Sequence, residues 1–206
     1  MTRTIITISR QYGSGGREIG ELAARQLNVP YYNHNLIDMV AHETGLASSY
    51  IANWQEQVSS PRLWGLPMLG PYGGLPLDGA YYSNDDRMFA AQSKIIRDLA
   101  ANGSCVIVGR CSDYVLRDDP AVLRVFVFAS EASRLARIRT EYGAADEAEA
   151  LSSLRAVDKA RKAYVRKYTD RAWGELNNYH LLIDSGRFGV EAAARLVALA
   201  ARERDG

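Results

Sequence analysis

Hydrophobic and polar positions follow two periods along this chain. Residues 4–9 (TIITIS) are a β-branched run closed by Arg10-Gln11-Tyr12-Gly13, which predicts a short buried strand. Residues 17–27 place Ile19, Leu22, Ala23 and Leu27 on one side of a helix. Gly13, Ser14, Gly15 and Gly16 lie between the two, so the chain opens as strand, glycine loop, helix. Residues 28–32 predict a second short strand. Asn33 or Asn35 then caps a helix to about Glu43 that Gly45 stops, and Ser48 or Ser49 opens another to about Val58. Residues 85–102 predict a long helix with Met88, Phe89, Ile95, Ile96 and Leu99 apolar. Residues 104–108 (SCVIV) are nearly all apolar, as a central strand requires. A strand over 123–129, a helix over 130–142, helix over 144–171 with at most one break, a strand over 179–184 and a helix over 190–204 complete the pattern.

Strands that alternate with helices imply a mostly parallel sheet covered on both faces. Ligands in such sheets lie beyond the carboxyl ends of the strands. Four of these ends carry candidate chemistry: the glycine loop, Gly109-Arg110, Ser130, and Asp184-Ser185-Gly186. Residues 59–83 break the pattern with four prolines and five glycines among Trp64, Leu66, Met68, Leu69, Tyr72, Tyr81 and Tyr82. Such a segment is a loop packed on its own domain, a substrate lid or a subunit contact.

Composition narrows the class. A chain of 206 residues suits a single domain, and 47% hydrophobic with 24% charged residues is ordinary for a globular protein. The net charge of +1 argues against a nucleic-acid coat. The longer apolar runs, 125–129 and 196–201, are far short of the roughly 20 residues that span a bilayer, so no membrane partner is expected. No signal-peptide core follows Met1, and two cysteines build no disulfide framework. The expected address is the cytoplasm.

The glycine loop points to phosphate. Glycine lets an anion approach backbone N–H groups, and the helix N-terminus adds positive potential. Arg17 supplies a cation. The run resembles a Walker A loop with Gln11 in place of the first glycine, Arg17 in place of lysine, and Glu18 where a hydroxyl normally meets magnesium. Glu18 repels phosphate unless it points away or holds magnesium through water. Without a ligand, the loop is a tight strand-to-helix turn.

Residues 6–20 (ITISRQYGSGGREIG), 30–37, 89–116, 123–137 and 156–174 resemble, in order, the cytidylate kinase-like family of P-loop nucleoside-monophosphate kinases. The resemblance implies an α/β P-loop NTPase three-layer sandwich, a five-stranded parallel sheet in the order 2-3-1-4-5 flanked by helices. It implies one domain over residues 1–206, with an acceptor-binding insertion at about 45–86 and a lid-like helical region at about 143–172. ATP with Mg2+ is the implied phosphoryl donor, and a nucleoside monophosphate, CMP or dCMP, the acceptor. Gly13, Ser14, Gly15, Gly16, Arg17 and Glu18 then form the ATP loop. Gly109-Arg110 matches the element that puts an arginine on the acceptor phosphate. Asp158 and Arg161 match the final D-x-x-R of the lid motif, whereas its earlier arginine falls on Leu154.

Residues 155–171 hold seven basic and two acidic side chains. Arginines placed around a loose phosphoryl-transfer transition state stabilise it strongly. Arg161 is therefore the leading catalytic candidate, followed by Arg166 and Lys162, with Arg17 at the loop; the alternative is a solvated basic face. One of Arg134 and Arg137 reaches the site, or both are surface residues. Asp113 and Asp38 position metal or acceptor, or cap helices. The histidines and cysteines lack metal-ligand spacing, so the metal ligands stay unassigned. A nucleotide-binding regulator without transfer activity and a kinase for another small acceptor are the competing readings. The insertion leaves room for a homo-oligomer contact.

Overall fold

A computed structural model of the protein describes residues 3–33, 35–44 and 84–203. Five strands form one sheet: β1 (Ile5–Arg10), β2 (Tyr31–Tyr32), β3 (Cys105–Val108), β4 (Val122–Phe128) and β5 (Leu181–Asp184). Their order is β2-β3-β1-β4-β5, and every pairing is parallel. The described helices are α1 (Gly16–Leu27), α2 (Asn35–Thr44), α3 (Asn84–Ala101), α4 (Ser112–Val115), α5 (Glu131–Glu141), α6 (Glu147–Thr169) and α7 (Ser185–Glu203).

Alternation along β1 explains the three layers. Ile6 and Ile8 point to one face and pack with Ile19 and Ala23 of α1 and Val197 of α7. Ile5 points to the other and packs with Leu36 of α2 and Met88 and Ile96 of α3. All three isoleucines are fully buried, each contributing roughly 1.5–3 kcal/mol. The chain leaves β1 toward β2 and β3, then crosses to β4 on the opposite side. The carboxyl end of β1 is thus the topological switch point, where a crevice forms.

Some elements differ from the pattern-based expectation. The strand expected over 28–32 contracts to Tyr31–Tyr32. Asn28 is consumed as the left-handed cap of α1, and the Val29 N–H returns to the Ala24 carbonyl. The helix expected over 144–171 is unbroken from Glu147 to Thr169, opened by Asp146, whose side chain accepts the Glu149 N–H. α7 begins at Ser185 but is kinked at Gly189, so its regular part starts at Val190 as the pattern predicted. The helix expected to Val58 and the 59–83 segment lie outside the described residues, as does nearly all of the 45–86 insertion.

α6 is docked at both ends. Ala150 and Leu154 pack with Ile138 of α5. At the other end Tyr168 stacks on Phe89 of α3, with ring centroids 4.2 Å apart.

Candidate active site

At the switch point a cleft of about 470 Å³ opens between β1, α1, α5 and α6. Gly13, Gly15, Gly16, Arg17 and Arg161 line it, together with Arg10, Gln11, Tyr12, Asn33, Glu141 and Tyr142. Gly13 has φ +76°, and a Cβ there would lie 2.8 Å from the Arg134 carbonyl oxygen, so the loop presses directly on α5. Two hydroxyls fasten it: Ser14 Oγ donates to the Gln11 carbonyl at 2.8 Å, and Ser185 Oγ to the Ser14 carbonyl at 2.6 Å. These bonds occupy carbonyl oxygens. The N-terminus of α1, with N–H groups that no helical carbonyl can satisfy, faces the cleft as an anion cradle.

Glu18 does not line this cleft. Its Oε2 accepts from Arg137 Nη1 at 2.8 Å, and the same nitrogen donates to Glu141 at 2.7 Å. The acid is turned toward α5 with its charge offset. It borders a second hollow of about 410 Å³ with Leu22, Arg137, Gly189, Val190 and Glu191.

The loop after β3, with Gly109 and Arg110, does not line this cleft; it meets the cleft wall through Arg10, whose guanidinium head lies against Gly109. Gly109, Arg110 and Cys111 have φ of +79°, +63° and +53°. Left-handed backbone costs a non-glycine residue roughly 1–2 kcal/mol, and such strain concentrates where a site demands it. Gln92, buried on α3, fixes the turn: its Nε2 donates to the Arg110 carbonyl at 3.1 Å and to the Tyr164 hydroxyl at 3.0 Å. Burial pushes the Arg110 guanidinium down to about 10, against the opposing effect of the Tyr164 phenol. Burial also lowers Arg161, which Asp158 partly counters. Arg10 falls well below its ordinary value, first through burial and then through the positive charges of Arg161 and Arg110. Among the described residues, no carboxylate pairs with Arg10 or Arg110. Among the described residues that line the cleft, Arg10, Arg17 and Arg161 outnumber the single carboxylate of Glu141.

The expected residues separate by place. Asp158 is buried: Oδ1 accepts the Tyr12 N–H at 2.8 Å and Oδ2 accepts from Arg134. Arg161 lies 3.9 Å from the same carboxylate and donates to the Arg10 carbonyl at 3.0 Å. Asp158 therefore joins α6 to the phosphate loop and sets Arg161 over the cleft. Asp113 is buried at the start of α4, where its Oδ1 accepts from Ser9 Oγ at 3.4 Å. Burial pushes its carboxyl up, opposed by the Ser9 hydrogen bond and by Arg171 and Arg124. Lys162 and Arg166 are exposed, and Arg166 is paired with Asp170 at 3.1 Å. Neither lines the cleft. Pattern reasoning passed over Arg10, Tyr12 and Tyr142. For Arg10 the signal was present: a cation ends a strand otherwise buried, at a position whose alternation turns it toward the glycine loop.

The sequence matches the cytidylate kinase-like family over residues 5–187. The chain belongs to this family. A cytidylate kinase from Methanothrix thermoacetophila is 29% identical over 198 residues, 96% of each chain. The solved structure of an uncharacterized protein from Eubacterium ventriosum aligns with a TM-score of 0.72 at 25% identity, covering 97% of this chain and 99% of that one. Shikimate kinase from Bacteroides thetaiotaomicron aligns with a TM-score of 0.56 at 11% identity, covering 98% and 99%, a likeness of fold alone. The expected sheet order and P-loop kinase fold are thus present. Family membership supports kinase activity toward a nucleotide or another small molecule. No described helix is long and apolar enough to cross a membrane.

Proposed function

We propose that the protein transfers the γ-phosphoryl group of ATP to a nucleoside monophosphate, with CMP or dCMP as the preferred acceptor. The observation that carries this reading is the meeting of two loops on one crest, the glycine loop after β1 and the Gly109-Arg110 loop after β3. The Arg10 side chain runs from one to the other, and among the described residues its guanidinium has no carboxylate partner. The family supplies the nucleotide assignment.

In this reading, backbone N–H groups from Gly13 to Gly16 and the Arg17 side chain hold the donor phosphates. Ser14 braces the loop through its hydroxyl. Arg110 holds the acceptor phosphate, and Arg161 covers the charge that develops on the γ-oxygens. An acceptor phosphate oxygen attacks the γ-phosphorus in line as the bond to the β–γ bridging oxygen breaks, with no covalent enzyme intermediate. Asp158 acts by positioning the loop and Arg161. Asp113 braces the acceptor loop through Ser9. Lys162 and Arg166 add positive potential from outside the contact shell.

In this reading the donor's base enters the second hollow. That hollow adjoins the loop through Gly15, where an added Cβ would lie 3.0 Å from Val190 Cγ2 and 3.1 Å from Arg137 Cζ. Among the described residues no group of three His, Cys, Asp or Glu side chains is arranged to hold a metal, and Glu18 is engaged by Arg137. Magnesium fits this protein as part of the ATP substrate, carried on phosphate oxygens and water.

The test is ADP release from ATP–magnesium with CMP, dCMP, UMP, AMP, GMP or no acceptor, run alongside Arg17→Ala and Arg110→Ala. Acceptor-dependent release that both variants lose supports the reading and names the acceptor. ATP binding without release above the acceptor-free control replaces it with a nucleotide-binding regulator or a kinase for a non-nucleotide acceptor.

A further inference from the structure

Arg10 ends β1 on the side of Ile6 and Ile8, so its side chain leaves the sheet toward α1. Its course is recorded by two glycines. A Cβ at Gly16, on the donor loop, would lie 2.5 Å from Arg10 Cβ and 3.0 Å from Cγ. A Cβ at Gly109, on the acceptor loop, would lie 2.1 Å from Arg10 Nη1 and 3.1 Å from Cζ. One side chain therefore runs from the first loop to the second, and each loop has a glycine where it passes.

Among the described residues the charged groups facing its head are Arg161, Arg110 and Arg17, all positive. The Tyr31 phenol is a further neighbour; burial pushes it up to about 12, still further from ionising near pH 7. Among the described residues the guanidinium has no carboxylate partner, and it lines the cleft. Arg161 is partly committed, since it donates to the Arg10 carbonyl and lies near Asp158. A structural brace would have a counter-charge here, because holding a half-buried cation against three other cations is costly. A planar fork of N–H donors suited to phosphoryl oxygens explains both the residue type and the missing partner.

We infer that Arg10 is a catalytic residue of the transfer reaction, contacting the migrating phosphoryl group at the seam between donor and acceptor loops. The inference rests on the kinase reading above.

The experiment compares wild type with Arg10→Met, Arg10→Lys and, as a surface control, the exposed Arg139→Ala. Thermal unfolding without nucleotide comes first. Arg10→Met is expected to melt at or above wild type, since the change removes repulsion with Arg161 and Arg110. A large drop would make Arg10 a structural prop and overturn the inference. With the best acceptor, kcat of Arg10→Met is expected to fall about 10³-fold, while KM for ATP moves less than about threefold. Arg10→Lys restores only part of the loss, because a point charge cannot bridge two oxygens as the fork does. A kcat of Arg10→Met within about threefold of wild type overturns the assignment. Should wild type transfer to no acceptor, the kinase reading fails separately, and calorimetric titration with inorganic tripolyphosphate judges Arg10. Arg10→Met is then expected to bind at least about tenfold more weakly than wild type and Arg139→Ala. Equal affinity, or no binding by any of them, overturns the inference.

Discussion

Two sets of arginines lie on either side of the cleft, on α5 and at the ends of β1 and β3, and live under opposite electrostatic conditions. On α5, Arg134 meets the buried carboxylate of Asp158, and Arg137 meets both Glu18 and Glu141. At the strand ends, Arg10 and Arg110 meet no carboxylate among the described residues, and burial lowers the pKa of each. The α5 arginines have their counter-charges within the chain and hold loop to helix. Among the described residues the strand-end arginines have none, the condition that the proposed anion site requires. Residue type is the same in both sets; the distribution of carboxylates divides structural from functional guanidinium groups. Arg161 stands between them, sharing Asp158 at 3.9 Å while lining the cleft.

This contrast is sharpest where variants of the two sets lose different properties. Arg161→Ala is expected to lower kcat about 10³-fold with little change in stability, as read by steady-state kinetics beside a urea melt. Full turnover with both nucleotides bound would remove Arg161 from the chemistry. Asp158→Ala should do the reverse first. It leaves Arg134 buried and unpaired and frees the Tyr12 N–H, at a cost of about 3–5 kcal/mol of unfolding free energy. Asp158→Asn keeps an acceptor for Tyr12 and should lose less. A urea-derived loss below about 1 kcal/mol for Asp158→Ala would mean that the joint does not carry the loop.

Asp113 gives a pH signature on the opposite face of the sheet. Its carboxyl titrates above its value in the unfolded chain, about 3.9. Between the two values the folded state holds a proton that the unfolded state has released. Stability therefore falls as pH rises through that window, and the cost persists above it. Asp113→Asn is expected to melt higher than wild type at pH 7, with the gap closing below about pH 4. A gap that widens on acidification would reverse the assigned direction. The smallest effect belongs to Arg137→Ala. Its partners are part-exposed, so the stability change is about 0–1 kcal/mol. A larger loss would show that Glu18 needs Arg137 to stay out of the phosphate cleft.

The sheet and both faces of its core were readable from short stretches of sequence. Ile5, Ile6 and Ile8 announce a strand buried on both sides, and Ile19 and Ala23 announce the helix that covers one of them, because periodicity is a local property. The glycine loop and Arg17 were readable for the same reason, since an anion cradle is built from consecutive backbone N–H groups. The pairing of charges was not. Asp158 meets Tyr12 across 146 residues and Arg134 across 24, and Glu18 meets Arg137 across 119. Lys162 and Arg166 share the basic run with Arg161, yet helical rotation leaves them exposed and puts Arg161 over the cleft. Arg10 gains its character only when β1 and β3 lie side by side and bring Gly16 and Gly109 to its two ends. Composition and pattern determine which surfaces are buried. Which charges are left without partners depends on distances across the folded chain, and so on how the elements pack.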